Sequence, residues 1–112
     1  MERTPPPVSL AAARALPFTP GRSAEAYVDG DLEVRFALHP SNGPQTPHLR
    51  DELYFVAAGT SRYRAEGRVS EVGPGDLLFA AAHAPHGFED PSPDFCVWVL
   101  FYGPEKPAPA AP

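Results

Sequence analysis

The chain has 112 residues, enough for one folded domain but not for two. Its 14 acidic and 9 basic side chains give a formal net charge of −5, which argues against a nucleic acid or an anionic membrane as partner. The sequence contains neither a membrane helix of about 20 apolar residues nor the apolar region of a signal peptide. We therefore expect a soluble, cytoplasmic protein.

Proline marks the two ends of the chain. The sequence contains 16 prolines, and residues 1–8 and 105–112 are rich in proline or alanine and show no periodicity. Such segments bury too little apolar surface to become ordered. We predict a mobile tail at each end and a single domain over residues 9–104.

The first predicted element of this domain is a short helix. Ser9 is a favourable N-cap, and the residues that follow it are good helix formers. Pro17 ends the helix after two turns at most. No other segment of the chain has a helical pattern.

The remainder of the domain has the pattern of short β-strands. Asp29-Gly30 predicts a tight hairpin between residues 25–28 and 31–38, because glycine accepts a positive φ. Further strands are predicted at 52–58, 61–65, 68–72, 77–81 and 95–102, with a loop that carries His83 and His86 before the last of them. The charged hairpin at 61–72 is expected to be exposed. Short strands with regular turns predict an all-β sandwich or barrel.

The segment around residue 50 directs polar side chains toward an interior. Side chains alternate between the two faces of a strand, so His48 and Glu52 share one face with Tyr54. Leu53 and Phe55 make the other face apolar, which predicts a strand covered on both sides. A histidine and a glutamate in a covered interior are costly unless they are paired or bind a cation.

The start of this strand leaves an alternative open. Pro44 and Pro47 lack a backbone donor, so the strand can instead begin at Glu52 and leave His48 in a solvated loop. Thr46 shares the face of His48 only if the strand begins early. Asp51 alternates with Glu52 and is predicted to lie at the surface.

The chain resembles the cupin superfamily, small β-barrels of jelly-roll type. The first cupin motif has two histidines two residues apart, a glutamate four residues after the second histidine, and a glycine seven residues beyond the glutamate. His48, Glu52 and Gly59 match this spacing, whereas Thr46 stands in place of the first histidine.

The second cupin motif runs from a glycine through a proline and a glycine to a histidine and an asparagine. Gly75 and His86 match this motif, whereas Ala81, His83 and Asp90 replace the proline, the second glycine and the asparagine. The resemblance covers about residues 24–103. It implies a jelly-roll barrel of two antiparallel sheets, which the short N-terminal helix or turn predicted above precedes.

The resemblance also implies a divalent metal site whose ligands are His48, Glu52 and His86. Two histidines and one carboxylate suit Fe(II) or zinc, and also Mn(II) with more water, and the sequence does not distinguish these metals. The substitution at Thr46 opens the alternative of a site that holds only water or a weakly bound ion. His39 is interpreted as a rim residue, and His83 as a residue that lines the mouth or faces solvent.

Three functions are compatible with these features. The first is a metal-dependent enzyme that acts on a small molecule in the barrel. The second is a non-catalytic module that binds a small ligand in the same cavity, and the third is a structural, dimeric cupin with a degenerate or empty site. One fold hosts many chemistries, so the fold does not choose among them.

We also expect a homodimer. Phe55 and the strand at 95–102 supply more apolar surface than one small barrel can cover, and large exposed apolar patches mark interfaces. Cys96, the single cysteine, lies in this strand and is interpreted as a small buried hydrophobe rather than a nucleophile.

Overall fold

Two antiparallel β-sheets form most of the protein. The computed structural model describes residues 4–18, 23–40, 43–45 and 49–108, with the backbone alone at 43–45. In these ranges the elements are α1 (Leu10–Arg14), β1 (Ala24–Asp29), β2 (Leu32–Leu38), β3 (Gly43–Gln45), β4 (Asp51–Ala58), β5 (Ser61–Ala65), β6 (Arg68–Val72), β7 (Leu77–Ala80), β8 (His86–Glu89) and β9 (Cys96–Tyr102). The predicted all-β architecture of two sheets and one short helix is confirmed. Among the described residues, no helix is long and apolar enough to cross a membrane.

The five-stranded sheet has the order β1-β2-β9-β4-β7. Strand β9 lies at its centre and pairs with both β2 and β4. Val97 and Val99 point from β9 into the space between the sheets, and Cys96 and Trp98 point to the opposite face. Because both faces of β9 are covered for part of its length, its sequence is apolar without alternation.

The four-stranded sheet has the order β3-β8-β5-β6. Tyr63 on β5 and Phe88 on β8 are directly opposite each other and buried, whereas Arg62 and Arg64 face outward. The expectation that the hairpin at 61–72 is exposed is therefore wrong for its inner face. The arginines account for that expectation, because they occupy alternate positions of β5 and make the segment look charged, although the residue between them points inward.

The main core fills the space between the two sheets. Its buried members are Tyr54, Val56, Tyr63, Val72, Leu78, Ala80, Phe88, Phe95, Val97 and Val99. A second, smaller core lies on the outer face of the five-stranded sheet, where α1 covers Phe36 and Cys96 through the buried Ala13. Ser9 caps this helix by accepting a hydrogen bond from the amide of Ala12 at 3.0 Å, as its sequence predicts.

Two of these strands were not predicted. β3 has three residues in a segment with a proline, and β8 has four residues, including Gly87, in a segment interpreted as a loop. Both are too short to show a hydrophobic period. Their pairing explains their formation, since β8 lies between β3 and β5. His86 is thus the first residue of a strand rather than a loop residue.

Gly59 permits a close crossing of the chain after β4. Its φ is +77°, and a Cβ at this position would lie 2.5 Å from the Cα of Phe95 and 2.6 Å from Oγ of Ser92. A side chain here would meet backbone that cannot move aside. The glycine of the first motif therefore has a packing role, and it fixes where β4 ends relative to β9.

Candidate metal centre

Glu52 and His86 meet between the two sheets. Glu52 comes from β4 of the five-stranded sheet and His86 from β8 of the four-stranded sheet. Glu52 is 2% exposed and His86 1% exposed, and Oε1 of Glu52 lies 3.1 Å from Nε2 of His86. Tyr54 and Val56 are buried on the same side of β4 as Glu52, which is the alternation that the sequence predicts.

Two neighbours fix the orientation of the His86 ring. Nδ1 lies 2.9 Å from the carbonyl oxygen of Ala84, and Nε2 lies 3.1 Å from the hydroxyl of Tyr54. A carbonyl oxygen only accepts hydrogen bonds, so Nδ1 carries a proton. In the neutral ring, Nε2 then has the lone pair and can accept from the hydroxyl of Tyr54, whereas in the protonated ring Nε2 donates to Glu52. A backbone carbonyl bonded to the other ring nitrogen is a common companion of metal-binding histidines.

Burial and the contact with Glu52 shift the pKa values of His86 and Tyr54. Burial lowers the pKa of His86, but the hydrogen bond with Glu52 and that with Ala84 raise it, and the net direction is upward. Burial and the nearby charge and hydrogen bond of Glu52 raise the pKa of Tyr54 far above its ordinary value. Tyr54 therefore stays a neutral hydrogen-bond donor, and Glu52 and His86 form a buried pair that is charged when the ring is protonated.

Aromatic rings form the wall of the centre. The ring of Tyr54 packs edge-on against Tyr63 and Phe88, with centroid distances of 6.0 and 5.1 Å. The hydroxyl of Tyr63 donates to the carbonyl of Phe79 at 3.2 Å. Burial and the charges of Glu52 and Glu66 raise the pKa of Tyr63 to about 12. The wall is thus apolar around a small group of polar atoms, an arrangement found in small-molecule sites.

The separation of Glu52 and His86 fits a shared metal ion. Metal–nitrogen and metal–oxygen bonds of about 2.0–2.2 Å, at right angles, put the two ligand atoms about 3 Å apart. The observed distance between Oε1 and Nε2 is 3.1 Å. This distance suits a shared divalent ion as well as a direct hydrogen bond, and among the described residues no group of three or more histidine, cysteine, aspartate or glutamate side chains has the spacing of a metal site.

The third predicted ligand lies outside the described residues. His48 and Thr46 both fall in the range 46–48. The backbone of Gln45, the last described residue before this range, pairs with that of His86. The site composed of His48, Glu52 and His86 therefore stays a prediction.

The other histidines lie apart from the centre. His39 follows β2 with a φ of +48°, and its amide donates to the carbonyl of Phe95 at 2.8 Å. Nε2 of His83 lies 2.6 Å from the carbonyl oxygen of Lys106. Cys96 is buried, as predicted, among apolar neighbours, and Nη2 of Arg14 lies 3.8 Å from its Sγ.

Asp51 corrects an expectation from the sequence. It was predicted to be a surface residue, but it is only 8% exposed. Its Oδ1 accepts a hydrogen bond from the amide of Ala82 at 2.9 Å, and its Oδ2 accepts one from Nζ of Lys106. The bond from Lys106 and that from Ala82 lower the pKa of Asp51. Strand alternation gave the correct face but contains no information about the loop and the C-terminal segment that cover it.

Known proteins place this chain in a family. A family model described as a cupin domain matches residues 32–102, which include β2, β9 and both Glu52 and His86. The chain belongs to the cupin family. A curated relative, an uncharacterized protein of Streptomyces coelicolor, is 34% identical over 62 residues, and the alignment covers 55% of this chain and 59% of that protein.

Solved structures show the same fold. KdgF from Halomonas sp. superposes with a TM-score of 0.63 and 27% identity, covering 75% of this chain and 80% of that one. The DMSP lyase DddQ from Ruegeria pomeroyi superposes with a TM-score of 0.60 and 27% identity, covering 73% of this chain and 43% of that one. This cupin therefore aligns with less than half of the lyase chain.

Proposed function

We propose that this cupin binds one divalent metal ion through His48, Glu52 and His86 and acts on a small molecule beside it. The observation that carries the proposal is the convergence of the buried Nε2 of His86 and Oε1 of Glu52 at 3.1 Å, with Nδ1 of the ring bonded to a backbone carbonyl. Two histidines and one carboxylate leave open coordination positions. A bound ion of this kind polarises a substrate oxygen or lowers the pKa of bound water.

Tyr54 has the position of a proton donor in this site. Its hydroxyl lies 3.1 Å from Nε2 of His86 and hydrogen-bonds with the carboxylate of Glu52. The raised pKa keeps the phenol protonated, so Tyr54 would orient a substrate oxygen by moving its single hydrogen bond from Glu52 to that oxygen once Glu52 held the metal. Tyr63 and Phe88 exclude water from one side of the same space.

Relatives suggest where to look for activity. DddQ is named as a DMSP lyase, and both it and KdgF are 27% identical to this chain over the aligned part. Because these proteins share the fold and part of the sequence, lyase reactions on small polar molecules are the first to assay. The substrate of this chain need not be theirs, since cupins keep the barrel while its lining changes.

A non-catalytic ligand-binding cupin is the second candidate function. Glu52, His86 and Tyr54 bond with one another, so the buried polar groups of the centre also pair without a metal. Such a site would bind a small polar ligand in the barrel and leave it unchanged.

Metal content separates the two functions. The protein should be purified without added metal and without a histidine tag, and its iron, manganese and zinc measured by mass spectrometry. We expect close to one ion per chain, retained through dialysis against a weak chelator. Less than about a tenth of an ion per chain, together with no binding in calorimetric titration, would contradict the metal proposal and favour the ligand-binding function.

The partner of the outer sheet face is proposed to be a second copy of the chain. Leu77, Phe79 and Phe55 are 58%, 50% and 39% exposed and lie side by side, because Phe55 pairs with Leu77 and Leu53 with Phe79. Helix α1 covers the other part of this face, over Phe36. Apolar clusters of this kind on a small barrel are typical of subunit interfaces.

A further inference from the structure

The C-terminal segment is attached to the start of β4 and to the loop before His86. The amide of Lys106 donates to the carbonyl of Leu49 at 2.8 Å, and its carbonyl oxygen lies 2.6 Å from Nε2 of His83. Nζ of Lys106 donates to Oδ2 of Asp51. Three hydrogen bonds from one residue are unexpected in a segment whose composition predicts a mobile tail.

Asp51 extends these contacts into the loop between β7 and β8. Its Oδ1 accepts from the amide of Ala82 at 2.9 Å. The loop closes as a turn at this point, because the amide of Ala84 donates to the carbonyl of Ala81 at 3.0 Å. The carbonyl of Ala84 then lies 2.9 Å from Nδ1 of His86. These hydrogen bonds, together with the backbone of the turn at 81–84, thus connect Lys106 with the imidazole.

The turn requires such attachment because its backbone is strained. His83 has a φ of +68°, in the left-handed region that residues with a Cβ avoid. A non-glycine residue in this region costs on the order of 1 kcal/mol or more and is kept only when its surroundings hold it. Asp51 holds one side of the turn through Ala82, and Lys106 holds the other side through His83.

We propose that Asp51 and Lys106 are positioning residues that hold the turn at 81–84 so that Ala84 fixes the tautomer and direction of the His86 ring. The hydrogen bonds of Asp51 with Ala82 and of Lys106 with His83 both end on the turn, so the two residues act on His86 through the backbone of the turn. The consequence for metal affinity rests on the proposed function, whereas the consequence for the ring does not. Loss of an outer partner of a metal-binding histidine typically lowers metal affinity about 10- to 100-fold.

The first test follows the ring itself, in metal-free protein, by ¹⁵N-detected NMR of the His86 imidazole at a pH above its titration. We expect wild type to carry the proton of the neutral ring on Nδ1. Asp51→Ala and Lys106→Met should move part of the population to the other tautomer, with the larger shift in Asp51→Ala. Lys106→Arg preserves the cation and should restore the wild-type signal, which a purely structural effect of the Lys106 side-chain volume would not produce.

Arg62→Met is the matched control, because Arg62 also forms an ion pair, with Asp90, but on the outer face of the four-stranded sheet. We expect it to leave the tautomer unchanged. The proposal is overturned if folded Lys106→Met and Asp51→Ala keep the wild-type tautomer, or if Arg62→Met shifts it equally. Lys106 is half exposed, so its variant tests the idea even if Asp51→Ala does not fold.

The second test measures metal affinity by titration calorimetry with Mn(II) or Zn(II). Lys106→Met should weaken binding about 10-fold, and Lys106→Arg less than 2-fold. A wild type without metal affinity would refute the proposed metal centre, but the NMR result would still decide whether Asp51 and Lys106 position the ring. If Lys106→Met shifts the tautomer but leaves the metal affinity unchanged, the C-terminal segment is not coupled to metal binding.

Discussion

The centre between the sheets and the outer face of the five-stranded sheet reverse the usual distribution of residue types. Glu52 and His86 are ionisable and almost completely buried, whereas Leu77 and Phe79 are apolar and at least half exposed. The two regions are close in the fold, since Glu52 pairs with Ala80, the neighbour of Phe79. One strand pair thus carries a polar group inward and apolar groups outward.

Each reversal lacks a benefit for the folding of a single chain. A buried ion pair often costs more in desolvation than it returns, and exposed apolar side chains gain nothing from the hydrophobic effect. Under the proposed function, a ligand of the centre would stabilise the inner reversal, and a second copy of the chain would stabilise the outer one. Substitutions on the two sides of the same strands should therefore separate ligand binding from assembly.

The largest effect is expected in the centre. His86→Ala removes one of three proposed ligands and should lower divalent metal affinity by more than the 10- to 100-fold typical of outer partners, thus by at least about 100-fold.

Thr46→His should add a fourth ligand and raise affinity about 10-fold, or about 1.4 kcal/mol. Calorimetric titration with Mn(II) or Zn(II) measures both. His39→Ala is the control and should bind as wild type does, and equal affinity in all variants would mean that these residues form no metal site.

The outer face should respond in assembly and not in metal binding. Phe79→Glu introduces a charge into the proposed interface and should raise the dimer dissociation constant by about 30-fold or more, the effect of about 2 kcal/mol. The monomer should lose less than about 0.5 kcal/mol, because Phe79 is half exposed. Val69→Glu alters an equally exposed apolar residue on the four-stranded sheet and serves as control. Light scattering at micromolar concentration that finds wild type monomeric would exclude the dimer.

Strand alternation correctly predicted the face of β4 that points into the core, but not the cover on its opposite face. The period of two residues was sufficient to put Glu52 and Tyr54 on one buried face, because it depends only on local backbone geometry. Asp51 was wrongly predicted to be exposed, because its cover comes from Ala82 and Lys106, which are distant in sequence. Position along the strand determines the face, but tertiary contacts determine whether that face is open.

His86 shows the same limit in another form. The cupin resemblance predicted it to be a metal ligand by spacing, but its strand was interpreted as a loop because β8 has only four residues. The hydrogen bond between the carbonyl of Ala84 and His86 could not be predicted, and neither could the role of the turn that positions this carbonyl. Every residue has a backbone carbonyl, so the residue types do not indicate which carbonyl makes such a contact. The sequence therefore indicates which side chains come together, but not which backbone contacts hold them in position.

At pH 8 the smallest effect is expected at Tyr63, which connects the two regions. Tyr63 belongs to the wall of the centre, and its hydroxyl donates to the carbonyl of Phe79, whose side chain lies on the outer face. Its pKa is raised to about 12, mainly by burial. A tyrosine in the unfolded chain ionises near pH 10. Between these values the folded protein retains a proton that the unfolded chain releases, so the free energy of unfolding falls as the pH rises.

Urea denaturation at pH 8, 10 and 11.5 should reveal this slope. Two pKa units correspond to at most about 2.7 kcal/mol, and Tyr63→Phe should remove that part of the alkaline loss. At pH 8 the variant should be less stable by only about 1 kcal/mol, the value of one hydrogen bond. Other groups titrate in this range, so the difference between the two proteins is the quantity to compare. Parallel curves for wild type and Tyr63→Phe would mean that the phenol is not protected by burial, and that the wall of the centre is open to water.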